Sequence, residues 1–172
     1  GVALIENNLV ENCTGGIIVS DLPGQTVTIK GNTIVTQDVA VDVFGTLAEP
    51  QNVILDSNLI NSSSDTAAVE FRFARGKINN NGIYGHNSIG AKIGINVERS
   101  HALDITLNQI RDSRDYCIRT YESGGLLISG NGGTISYSAV IYLDNTNDVH
   151  LANNWLWLLN GNSLYAIYSA SS

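Results

Sequence analysis

The 172-residue sequence has no methionine, two prolines and two cysteines, and only 15% of its residues are charged. That charge content lies below the quarter usual in soluble domains. Cationic side chains are the scarcer sign: 9 Lys and Arg stand against 16 Asp and Glu, for a formal net charge of −7. A sequence-independent nucleic-acid binder needs basic surface to displace counterions. An anionic membrane surface likewise attracts polybasic segments. Neither partner is expected. No apolar run reaches the roughly 18 residues of a membrane span, and no basic stretch leads into an apolar one as in a secretory leader. Helix-length amphipathic patterns are missing as well. What the sequence does contain is 43% apolar residues, 17 glycines and many asparagines. Asn and Gly tolerate left-handed backbone. Beside Ile and Val they predict many tight turns between short strands.

A repeat organises these residues. Asn8, Asn32, Asn58, Asn81, Asn108, Asn131 and Asn154 recur at gaps of 24, 26, 23, 27, 23 and 23 residues. Three positions before each anchor stand Ile5, Ile29, Leu55, Ile78, Ile105, Ile128 and Leu151. Five before stand Ala3, Val27, Val53, Gly76, Leu103, Leu126 and Val149; two after stand Val10, Ile34, Ile60, Ile83, Ile110, Gly133 and Leu156. Apolar residues alternating with polar ones have the strand period. The anchor Asn, between two inward positions, is the residue expected to hold the left-handed or bridging backbone of a bend. A further apolar strand precedes each block, at Ile17–Val19, Val41–Val43, Val69–Phe71, Ile95–Val97, Ile118–Thr120, Ile141–Leu143 and about Ala166–Tyr168. Each repeat is thus three short strands and three turns. One repeat cannot bury its apolar face alone, so repeats must stack. The expected fold is all-β: a right-handed, single-stranded parallel β-helix of about seven coils, with an internal Asn ladder and a dry Ile core.

The stretches VTIKGNTI, VILDSNLI, LDITLNQI and VHLANNWL resemble the coil signature of the pectate-lyase-like superfamily of right-handed parallel β-helices, and the resemblance covers nearly the whole chain. It implies a domain over 1–172 that belongs to a longer stack. It also implies a polysaccharide as partner and an extracellular or virion-associated setting. The superfamily includes polysaccharide lyases, glycoside hydrolases, epimerases and phage tailspikes, so fold alone is an analogy for activity. Whether the chain is an enzyme stays open. If it is, a polysaccharide lyase, a glycoside hydrolase or a tailspike-like depolymerase is expected. The alternatives are a structural or adhesin shaft, such as a homo-trimer, and a carbohydrate-binding module.

Residues alternating with the inward Val and Ile of the first strand of each coil project outward in two columns. One is Asp42, Glu70, Asn96, Arg119, Tyr142; the other is Phe44, Arg72, Glu98, Tyr121, Asp144. Charges clustered on a sheet face cost desolvation and need a reason. Asp42 and Glu70, stacked as neighbours, perturb each other's protonation and offer an acid and a base for glycoside hydrolysis. In a lyase, Arg119 or Tyr121 would take a sugar proton and Arg72 would neutralise a carboxylate. Asp42, Glu70, Arg72, Glu98, Arg119 and Tyr121 are therefore the catalytic candidates, with Tyr142, Asp144, Trp155 and Trp157 as substrate-binding candidates. The bland reading of Arg72 and Glu98 is a cross-strand salt bridge on a solvated face.

Several motifs that the resemblance would lead one to seek are missing. Gly85-His86 is followed by Asn87, Asn145-Thr146 by Asn147, no Arg-Ile-Lys occurs, and neither does the Asp-Pro-His-Glu run of mannuronan epimerases. No residue is assigned to a metal. The stretch from Asp144 to Asp148 offers oxygen ligands for Ca2+ but lacks the Gly and Glu of a calcium loop, so a turn is expected. His86 lies in the longest insertion, Tyr84–Lys92, where a groove-rimming loop is expected; His101 and His150 sit at strand entries. Trp155 and Trp157 flank the inward Leu156, so both should face outward, as a sugar platform, a subunit interface or packing for a further segment. Cys13 and Cys117 fall about four coils apart, roughly 19 Å, too far for a disulfide.

Overall fold

A computed structural model describes residues 1–85, 91–135, 138–158 and 165–171. Its 21 strands distribute in strict rotation over three parallel sheets of seven. The first sheet holds β1 (Val2–Glu6), β4 (Thr26–Lys30), β7 (Gln51–Asp56), β10 (Ala74–Asn79), β13 (His101–Thr106), β16 (Gly124–Ser129) and β19 (Asn147–Ala152). The second holds β2 (Leu9–Cys13), β5 (Thr33–Thr36), β8 (Leu59–Ser62), β11 (Gly82–Gly85), β14 (Gln109–Ser113), β17 (Gly132–Ile135) and β20 (Trp155–Leu158). The third holds β3 (Ile17–Ser20), β6 (Val41–Phe44), β9 (Ala67–Arg72), β12 (Ile93–Glu98), β15 (Tyr116–Tyr121), β18 (Ala139–Asp144) and β21 (Tyr165–Ala170). The chain is thus a parallel β-solenoid, as its repeat predicts. His86, expected on a groove-rimming loop, lies outside the described residues.

The repeat columns are the core. Val27, Val53, Leu103 and Leu126 stack inside the first sheet with Ile29, Leu55, Ile78, Ile105 and Ile128, each at most 2% exposed. Ile34, Ile60, Ile83 and Ile110 do the same in the second. Each such side chain contributes about 1.5–3 kcal/mol on burial. Gly76 interrupts the first column because a β-carbon there would collide with the Val53 carbonyl, and its φ of 121° is open to glycine alone.

The second gap has a packing cause. In the third sheet the in-out alternation slips once per coil, so Ala68 and Val69, or Cys117 and Ile118, are both buried. The first of each pair turns the corner toward the second sheet. A β-carbon on Gly133 would lie 2.7 Å from Val140 Cγ1 and 3.0 Å from Cys117 Sγ. Where the corner carries Cys117 and Val140, the facing column is emptied to glycine. Where the facing residue is Ile110, the corner is Gly94, on which a β-carbon would collide with Ile110 Cγ2. Large meets small across the corner, as close packing requires.

The Asn anchors form the expected ladder, with one correction. Their own backbone is not left-handed; the residue before each takes that role, namely Asn7, Gly31, Ser57, Asn80, Leu107, Gly130 and Asn153, with φ of 53–68°. The anchor instead spends its side chain. Oδ1 of Asn81 accepts from the amide N and the Nδ2 of Asn58 at 2.9 and 3.0 Å, while its Nδ2 donates to the Leu55 carbonyl and to Asn108 Oδ1. A bend leaves backbone groups that no strand pairs, and a buried amide supplies their partners. A shorter hydroxyl ladder serves the corner between the third and first sheets: Ala74 N donates to Ser100 Oγ, and Ser100 N to Ser123 Oγ.

Candidate functional site

The outer face of the third sheet carries both predicted columns in the expected register. Asp42 pairs with Glu70, Glu70 with Asn96, Asn96 with Arg119 and Arg119 with Tyr142. Phe44 pairs with Arg72, Arg72 with Glu98, Glu98 with Tyr121 and Tyr121 with Asp144. Parallel pairing places successive members of each column one strand apart, about 4.8 Å, and the two columns lie two residues apart along each strand, so these side chains form one continuous surface.

Within that surface the charges pair diagonally. Nη2 of Arg72 donates to Asp42 Oδ1 and Oδ2 at 2.9 and 3.0 Å, and its Nε lies 3.8 Å from Glu70 Oε1. Asn96 Nδ2 donates to Glu98 Oε1 at 3.1 Å, and Arg119 Nη1 lies 3.8 Å from the same oxygen. The expected Arg72–Glu98 bridge is replaced by Arg72–Asp42, because Glu98 is already held by Asn96 and Arg119. Both arginines also lie over rings, Arg72 over Phe44 at 5.5 Å and Arg119 over Tyr121 at 5.6 Å. Two polar atoms at the centre are buried without a partner, Arg72 Nε and Asn96 Oδ1.

Burial pushes the Glu70 carboxyl above its ordinary range; Arg72 pulls it back, and the charges of Asp42 and Glu98 push it up again. The phenol of Tyr121 is likewise held up, first by its hydrogen bond to Glu122 and that residue's charge.

The charged half runs directly into an aromatic half. The Tyr116 and Tyr142 ring centroids are 4.8 Å apart, Tyr142 and Tyr168 stack at 5.3 Å with planes 7° apart, and Tyr165 lies 5.0 Å from Tyr168. The Tyr116–Tyr142 and Tyr165–Tyr168 pairs are tilted, by 33° and 42°. Tyr116, Tyr165, Tyr168 and the buried Asn96 are members that sequence reasoning did not select. Strict alternation back from Ile118 would turn Tyr116 inward; the slip at Cys117 turns it outward. The three-residue spacing of Tyr165 and Tyr168 carries the same slip at Ala166.

Eight of the ten candidates meet on this face: Asp42, Glu70, Arg72, Glu98, Arg119, Tyr121, Tyr142 and Asp144. Trp155 and Trp157 do not. They project from β20 in the second sheet, 72% and 64% exposed. His101 and His150 lie on exposed positions of the first sheet.

A calcium site on this face would need several carboxylates, and the two outward aspartates, Asp42 and Asp144, are not neighbours. Both oxygens of Asp42 are held by Arg72, and Asp144 lies on β18, four strands away. Among the described residues no three His, Cys, Asp or Glu side chains converge as metal ligands. Within the stretch from Asp144 to Asp148 only Asn145 and Thr146 make the turn between β18 and β19, and Thr146 Oγ1 donates to the Asp144 carbonyl. Cys13 and Cys117 are free thiols, and burial raises that of Cys117 far above its usual range.

No protein-family profile matches the chain, and no curated protein matches it by sequence. Two solved structures are similar in fold. The A-module of mannuronan C-5 epimerase AlgE4 from Azotobacter vinelandii is 14% identical with a TM-score of 0.53, covering 96% of this chain and 58% of its own. The A-module of mannuronan C-5 epimerase AlgE6 from the same organism is 16% identical with a TM-score of 0.54, covering 99% of this chain and 59% of its own. The chain therefore spans less than two thirds of either module. At these identities the likeness establishes a shared parallel β-helix.

Proposed function

We propose that the chain is a carbohydrate-active β-helix domain that holds a polysaccharide along the outer face of its third sheet and cleaves it there, with Glu70 as proton donor. The observation that carries this reading is the junction of the carboxylate–guanidinium cluster with the tyrosine row on one uninterrupted face. A polysaccharide needs an extended surface offering both C–H contacts and hydrogen-bonding groups, and this face offers both.

Among the carboxylates, Glu70 is best suited to donate a proton. A general acid must keep its proton near working pH, and burial beside Asp42 and Glu98 favours the neutral form. Tyr121 is less suited to take a proton, since its neighbours disfavour the phenolate. The fold neighbours are modules of polysaccharide epimerases by name, which agrees with a sugar polymer as substrate class.

One observation favours a second reading, polysaccharide binding without cleavage. Each charge of the cluster has an opposite partner, as an ordinary cross-strand network would. A panel of acidic and neutral polysaccharides separates the two. Release of reducing or unsaturated ends supports cleavage. Retention on affinity gels without release, weakened by Tyr142→Ala, supports binding alone. Absence of both rejects this face as a carbohydrate site.

A further inference from the structure

Trp155 and Trp157 occupy a different side of the solenoid from the face just described, and their surroundings form a site of their own. The rings stand at alternate positions of β20, so both project from one side, about 7 Å apart along the strand. In the next strand of the sheet, β17, Gly132 is the partner of Trp155 and Thr134 that of Trp157. Beyond it, on β14, Gln109 is the partner of Gly132. Gln109, Arg111, Gly132, Gly133, Thr134, Trp155 and Trp157 line one open groove.

The floor of that groove is low because the outward position of its strand facing Trp155 is Gly132. Gly133 gives up its side chain to the corner packing of Cys117 and Val140. Gly132 leaves room on the outer face: a β-carbon there would lie 2.5 Å from Gln109 Nε2. The glycine lets the Gln109 amide lean over β17 toward the tryptophans. Two strand spacings, about 9.6 Å, separate the backbones of β14 and β20. One wall is therefore indole and the opposite wall is amide and guanidinium, across a slot one strand wide.

We infer that this groove is a second glycan-binding site, separate from the third-sheet face. A sugar ring has an apolar C–H face and a hydroxyl-bearing rim. The indoles match the first; the N–H donors of Gln109 and Arg111 match the second. The groove walls divide the same way as the ligand does. A protein partner would call for a contiguous apolar patch, whereas the neighbours of these two rings on β17 and β14 are polar or lack a side chain. In a chain of net charge −7, the Arg111 guanidinium also favours a saccharide bearing a carboxylate over a neutral one. The inference does not depend on the activity proposed above, since the two faces share no residue.

The sequence supplies its own probe: these are its only two tryptophans, so tryptophan emission reports this groove alone. Titrating the full chain with uronate and neutral oligosaccharides should give a saturable emission change with at least one class. Read by the remaining tryptophan, the emission titration should show binding weakened about tenfold or more by Trp155→Ala or Trp157→Ala, a loss of about 1.4 kcal/mol per decade. Arg111→Gln should weaken uronate binding more than neutral binding. Tyr142→Ala and Glu70→Gln, on the other face, should leave the titration unchanged. Three results would overturn the inference. One is solvent-exposed emission that no oligosaccharide alters. Another is buried-type emission in the free protein, which would mean that the chain covers its own groove. The third is a concentration-dependent dimer dissolved by Trp155→Ala, which would assign the groove to a second copy.

Discussion

Nη2 of Arg72 binds both carboxylate oxygens of Asp42, diagonally across β6 and β9, while Nε of the same guanidinium lies 3.8 Å from Glu70. One cation thus sits between two acids that share a column. It anchors Asp42 fully and Glu70 only in part, which leaves burial free to raise the Glu70 carboxyl. Replacing the cation should therefore move Glu70 further up. Arg72→Gln is expected to raise the pH at which the Glu70 side chain titrates by NMR. With 38% of the Arg72 side chain exposed, the stability cost should stay within about 1 kcal/mol.

Glu70 also sets a pH dependence of stability. Its folded-state protonation is favoured over the unfolded value, so its contribution is fully present below that unfolded value and is lost as pH rises through the folded one. Glu70→Gln should abolish that loss. Denaturation midpoints of the variant and the parent should converge at low pH and separate in favour of the variant as pH rises toward neutrality.

The Asn ladder predicts a steep positional contrast. Asn81 is 1% exposed, and its Oδ1 is the acceptor for two donors of Asn58. Asn81→Ala strands those donors and several carbonyls, at about 1–3 kcal/mol for each unsatisfied group. A total loss of about 3–5 kcal/mol is expected in urea denaturation. Asn8 is exposed and belongs to the first rung; Asn8→Ala should cost about 1 kcal/mol or less.

The corner between the third and second sheets predicts a compensating pair. Gly133→Ala introduces a methyl 2.7 Å from Val140 Cγ1 and 3.0 Å from Cys117 Sγ, and overpacking of this kind costs about 1–3 kcal/mol. Adding Val140→Ala should recover part of that loss. Additive destabilisation in thermal melts of the double variant would show that the two positions do not share space.

The columns of Ile, Val and Leu were legible because the coil repeats them at nearly constant spacing, and because an inward position at one coil is inward at the next. The register of Asp42, Glu70, Asn96, Arg119 and Tyr142 followed from the same columns. Strict alternation hid what the corner does. Cys117 and Ile118 are both buried, so Tyr116 joins Tyr142 outside, and a period-two reading cannot show that slip. Pairing across strands was also out of reach: register places Arg72 beside Glu98, but side-chain reach and competition from Asn96 and Arg119 send it to Asp42. The tryptophans read correctly as outward, yet outward from β20 means another sheet. Which of three faces a strand occupies depends on the turn before it, and the left-handed residue of that turn proved to precede the anchor Asn.

The central claim is that a polysaccharide lies along the third sheet with Glu70 as its proton donor. The measurement that tests it most directly is the cleavage rate of Glu70→Gln, on the polysaccharide the parent cleaves, beside its affinity for the same polymer. The account predicts a rate lowered by about 10²–10⁴-fold, the range general acid catalysis supplies, with affinity little changed. An unaltered rate in Glu70→Gln, or a parent that cleaves no polysaccharide, would contradict it.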